Sequence, residues 1–150
     1  MLTIAEPFHR AWRGYLSRDG VAYVLRPDGY GIFARQGGGT SPFFLEWERR
    51  AERPGRYLGK VHPYIRYYQH GELLEDVGEW PVVLFVLRDE VAEAGFLKTA
   101  LPEVGRGYLA RDRLRLLTTT EAFVEAHGPA RPIWRERSGG PRSTPWPVGR

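Results

Sequence analysis

Arg26-Pro27-Asp28-Gly29-Tyr30-Gly31-Ile32-Phe33, then a glycine-rich turn, then Pro42-Phe43-Phe44-Leu45-Glu46-Trp47-Glu48 is the stretch whose reading decides the fold. Side chains alternate between faces along a strand, so Phe43, Leu45 and Trp47 share one face and Glu46 and Glu48 the other. The pattern predicts two strands joined by a loop over 36–41, with the aromatic face turned to a core. At about 3.3 Å of rise per residue the two glutamates stand roughly 7 Å apart. If the strands are hydrogen-bonded neighbours, Asp28 comes within reach of Glu46. Three converging carboxylates repel one another, so the arrangement calls for a positive partner, either a divalent metal or arginines.

Upstream, two readings compete. Residues 3–16 fit a short helix with Ile4, Phe8, Trp12 and Tyr15 or Leu16 on one face. A strand from Trp12 to Leu16, turning at Arg18-Asp19-Gly20 to pair with Ala22–Leu25, fits as well, because Asp-Gly between apolar runs is a hairpin signal. Downstream of Glu48 the chain turns basic, with Arg49, Arg50, Arg53, Arg56, Lys60 and Arg66. Leu58, Val61, Ile65 and Tyr68 recur at helical spacing over 54–70, and Pro63 inside that span predicts a kink or two shorter helices. Residues 71–80 read as an acidic loop. Pro81–Leu87 is a continuous apolar run, the pattern of a strand buried on both faces.

Val91–Leu101 reads as a helix stopped by Pro102, and Leu114–Thr118 as a short strand. Thr119 or Thr120 then caps a helix through Ala126, ended by Gly128-Pro129. Residues 138–150, rich in Gly, Pro, Ser and Arg, read as a mobile basic tail after a single domain over 1–137. The succession of elements predicts an α/β fold, a mixed central sheet flanked by helices.

Composition bounds the class. The chain has 150 residues, is 42% hydrophobic and 13% aromatic, and is long enough for one well-filled core. It holds no cysteine, which excludes disulfides and thiolate metal sites. No run approaches the roughly 18 apolar residues of a membrane span, and the expected location is cytoplasmic. Residues 1–103 carry a net charge of −1 and residues 104–150 carry +5, so the excess of +4 lies in the C-terminal third. Such an excess suits phosphate contact and a solvated terminus alike.

The order Pro-Asp, then Glu-x-Glu on an apolar strand, resembles the signature of the PD-(D/E)xK nuclease-like superfamily. Within it the chain is most similar to the replication-relaxation family of plasmid and mobile-element proteins. The matching segments are Leu25–Gly29, Phe43–Arg49, Lys60 with Tyr64 and Tyr67, Pro81–Val86, and Ile133-Trp134-Arg135, covering about residues 20–136. The resemblance implies a restriction-endonuclease-like core in which Asp28 and Glu46 hold Mg²⁺. It also implies a DNA partner in replication initiation or mobilisation. Its third position departs from the pattern: Glu48 stands where lysine is commonest. Glu48 then serves as a general base, or Lys60 on the next helix takes the place of the missing lysine, or the site has lost catalysis.

The resemblance further implies a winged-helix region ahead of the nuclease-like part. None is seen in this sequence, so the expectation is either that a separate DNA-binding or replication protein supplies it or that the chain acts without strong sequence specificity.

Each of these residues also has a structural explanation. Asp28 suits a turn between Pro27 and Gly29. Glu46 and Glu48 can pair with Arg26, Arg35 or Arg49 across the sheet. Arg49, Arg50, Arg53 and Arg56 suit contacts to backbone phosphates and surface ion pairs alike. Gly37-Gly38-Gly39 lacks the helix start and Lys-Ser/Thr of a phosphate-binding loop. The four histidines lack metal-ligand spacing, and no Gly-x-Ser-x-Gly elbow exists. Tyr64, Tyr67 and Tyr68 have helical spacing and read as packing residues. Three functions remain: a Mg²⁺-dependent endonuclease, a catalytically inactive DNA- or protein-binding accessory module, and a protein-interaction domain.

Overall fold

A computed structural model of the chain describes residues 2–3, 13–16, 20–34, 37–50, 53–71 and 78–146. Its elements are β1 Leu2–Thr3, β2 Arg13–Leu16, β3 Ala22–Leu25, β4 Gly29–Ala34, β5 Thr40–Trp47, α1 Pro54–His70, β6 Val82–Leu87, α2 Glu90–Arg106, α3 Ala110–Arg113, β7 Leu116–Thr120 and α4 Glu121–His127. Four strands form a mixed sheet in the order β4-β5-β6-β7, and β1 adds a two-residue edge against β4. β4 and β5 are antiparallel, whereas β5, β6 and β7 run parallel. Parallel neighbours need crossovers, and α1 and α2 supply them.

Alternation along the strands sorts the core into two layers. Phe44, Val83, Phe85 and Leu87 pack with α1 and α2 in one cluster. Phe43, Val82, Leu84 and Val86 pack on the other face with Ile133, Trp134 and Trp146. All six residues of β6 are buried, as its unbroken apolar run predicts. The β4–β5 turn uses Gly37, Gly38 and Gly39, all at φ near +90°, a region closed to most side chains. In the ladder Gly31 faces Phe43, whose ring lies where a β-carbon would stand. That close approach requires glycine.

Several expectations are corrected. At the N-terminus the strand alternative holds, because β2 pairs with β3 from Arg13↔Leu25 to Leu16↔Ala22. Residues 4–12 of the competing helix, and the 72–77 part of the acidic loop, lie outside the described residues. α1 is one helix through Pro63, and its buried stripe is Tyr57, Val61, Tyr64 and Tyr68 instead of Leu58, Val61, Ile65 and Tyr68. Four buried side chains straddling the proline outweigh the one backbone hydrogen bond it removes. α2 likewise continues through Pro102 to Arg106, starting from an Asp89 cap that accepts from the Ala92 amide at 2.8 Å. β7 lies two residues later than expected, and its last residue, Thr120, caps α4.

The largest correction concerns the tail. Residues 138–146 are packed on the sheet. Ser143 and Trp134 exchange backbone hydrogen bonds at 2.7 and 3.0 Å, and Trp146 stacks on Phe33 with centroids 4.2 Å apart. The anchor is Glu93 of α2, fully buried. Its carboxylate accepts from both terminal nitrogens of Arg142, at 2.6 and 3.2 Å, and from the Thr118 hydroxyl at 2.9 Å. A buried carboxylate needs such partners: Arg135 stands 3.8 Å away, and the segment after residue 137 brings the bidentate guanidinium of Arg142. Residues 147–150 lie outside the described residues.

Candidate metal centre

The β4–β5 register sets the site. Gly29 pairs with Leu45, so Asp28, in the bend before β4, comes beside Glu46. Oδ2 of Asp28 accepts from the Trp47 amide at 2.9 Å, which ties the bend to β5. Glu46 and Glu48 share their face of β5 with Phe44, and that face lies under α1 instead of facing solvent. Glu46 is 8% exposed and Glu48 only 4%. Asp28, Glu46 and Glu48 each offer a carboxylate oxygen within 4.8 Å of the others, the single such group among the described residues.

α1 answers this negative charge. Lys60 and Tyr64 stand one turn apart, on the helix face turned to the carboxylates. Nζ of Lys60 lies 2.6 Å from Oε1 of Glu48. That oxygen is buried and makes no hydrogen bond of ordinary geometry, so charge, more than alignment, holds the pair. The Tyr64 hydroxyl donates to Oε1 of Glu46 at 2.5 Å.

Protonation follows from this packing. Burial, reinforced by the charges of Asp28 and Glu48, pushes the Glu46 carboxyl up to about 8, against the pull of the Tyr64 hydrogen bond. Lys60 is pulled down by burial, but contact with Glu48, then the charges of Glu46 and Asp28, leave it above the ordinary lysine value. Tyr64 is raised well above a free phenol by burial and by Glu46, and therefore stays a hydrogen-bond donor.

The four residues singled out for the catalytic and metal site, Asp28, Glu46, Glu48 and Lys60, converge. The triad can hold a metal ion. Its donors are all hard carboxylate oxygens, and their 4.8 Å spread is about twice a metal–oxygen bond of roughly 2.1–2.5 Å. The buried, unaligned Oε1 of Glu48 is an acceptor with capacity left for a cation. A cavity of about 310 Å³ opens above the site between Val24–Arg26, at and just after the end of β3, and α1, at Gly59, Lys60 and Pro63, with Asp28 and Glu46 in its lining. The arginines flank this site in the chain without entering it. Arg49, Arg50 and Arg53 are exposed between Glu48 and α1, and Arg56 lies one turn before Lys60.

Tyr64 is the residue of this cluster that sequence reasoning assigned to packing. That assignment fits Tyr68, whose hydroxyl donates to the Pro81 carbonyl. The signal for Tyr64 was its i, i+4 spacing from Lys60, which puts the two on one face.

No family model matches this chain, and no curated protein or solved structure is significantly similar to it.

Proposed function

We propose that the protein is a Mg²⁺-dependent DNA endonuclease built on a PD-(D/E)xK-like core. The observation that carries this proposal is the meeting of Asp28, Glu46 and Glu48 around one point, with Lys60 on Glu48. Carboxylate oxygens are the donors Mg²⁺ prefers. A bound Mg²⁺ supplies Lewis acidity to a phosphodiester and lowers the pKa of a coordinated water.

The protein's own groups then have distinct tasks. Asp28, Glu46 and Glu48 hold the ion. Lys60, 42% exposed along its side chain, spans from buried Glu48 to the cavity, where its ammonium can meet a phosphate oxygen. It thereby takes the part of the lysine absent from position 48. Arg49, Arg50, Arg53 and Arg56 contact backbone phosphates beside the site. On the replication-relaxation resemblance, the DNA belongs to a plasmid or mobile element during replication initiation or mobilisation.

The test is incubation of the full chain with supercoiled plasmid and Mg²⁺ or Mn²⁺. Nicking is expected, and Asp28→Ala and Glu46→Ala abolish it. A second reading, the catalytically inactive accessory module, is favoured by one observation: Tyr64 engages Glu46 and the Lys60 ammonium engages Glu48. Salt-dependent DNA binding with no cleavage under either metal would select it.

A further inference from the structure

We propose that Tyr64 is a positioning residue that fixes Glu46 for cation binding. The inference rests on the metal-site reading above and assigns that site a supporting residue. Its hydroxyl holds Oε1 of Glu46, and the same carboxylate offers an oxygen within 4.8 Å of oxygens of Asp28 and Glu48. The carboxylate is thus tied to the helix while it stands among the acids of the cluster.

The phenol is itself held in place. Tyr64 is 1% exposed, and its ring packs against Phe44 at 5.9 Å and Phe85 at 6.0 Å. The donor's direction is therefore set by the core and not by the carboxylate it serves. Tyr68, one turn further along α1, is equally buried, but its hydroxyl meets a backbone carbonyl. The two tyrosines have the same burial and different partners, and only Tyr64 touches a carboxylate of the cluster. Groups that orient a metal-ligating carboxylate typically contribute 10–100-fold to metal affinity.

Calorimetric titration of the full chain with Mn²⁺ tests this, using Tyr64→Phe and, as control, Tyr68→Phe, each checked for folding by circular dichroism. Wild type and Tyr68→Phe are expected to bind alike, and Tyr64→Phe about 10–100-fold more weakly. Equal affinity of Tyr64→Phe and wild type overturns the inference, as does an equal loss in both variants, which indicates general softening of α1. If wild type itself binds no Mn²⁺, the metal-site reading fails first.

Should Tyr64→Phe not fold, the wild-type chain still decides. Saturating Mn²⁺ should shift its near-UV tyrosine absorbance, because a cation on Glu46 weakens the acceptor that the phenol faces. No shift with Mn²⁺ bound rejects the proposal.

Discussion

Glu46 makes the metal-free protein's stability depend on pH, and Glu46→Gln removes that dependence. The folded carboxyl titrates at about 8 against an ordinary value of 4.5. A raised acid pKa means the folded state favours the protonated form. Its contribution is fully present below about 4.5, declines as pH rises, and is gone above about 8. The 3.5-unit gap at 1.36 kcal/mol per unit sets an upper bound of about 5 kcal/mol. Glutamine keeps an oxygen for the Tyr64 hydroxyl and never ionises.

Thermal melts in a chelator from pH 5 to 9 are the assay. Wild type and Glu46→Gln should melt alike near pH 5. By pH 9 the variant should be the more stable. At roughly 2–4 °C per kcal/mol for a chain of this size, the bound corresponds to about 10–20 °C. Mg²⁺ should narrow the gap by stabilising wild type alone, through binding to the folded state. A difference between the two melts that does not grow with pH refutes the argument.

Two more predictions probe the scaffold. Arg142→Ala leaves the buried Glu93 with only the more distant Arg135, at 3.8 Å, and should cost up to about 3–5 kcal/mol in denaturant melts; a change below 1 kcal/mol would restore the mobile tail. Gly59 lies inside α1 with nothing within 4 Å of a β-carbon, so Gly59→Ala should stabilise by up to about 1 kcal/mol in the same melts. Gly59→Leu should keep the fold, fill the cavity above the carboxylates and slow plasmid nicking.

How far the sequence could be read depended on the range of the interactions involved. The Asp28–Glu46 meeting was legible because strand alternation and a glycine turn are local. The same alternation puts Phe44 beside Glu46, a sign that this face is covered and not solvated. Lys60 was legible as a lysine that could reach back from the next helix to the acids, and Tyr64 only through its spacing from it. Helix continuity across Pro63 and Pro102 was not legible, since tertiary packing on both sides of each proline overrides the local penalty. Nor was the order of residues 138–146, because Glu93 and Arg142 are 49 positions apart and nothing local pairs them. Trp146 and Arg142 were the hints in a segment otherwise rich in glycine and proline.

Anomalous diffraction from Mn²⁺-soaked crystals addresses the metal centre most directly. A peak enclosed by the carboxylates of Asp28, Glu46 and Glu48 is the expected result. No peak there at saturating Mn²⁺, with the Lys60 ammonium still on Glu48, would contradict it.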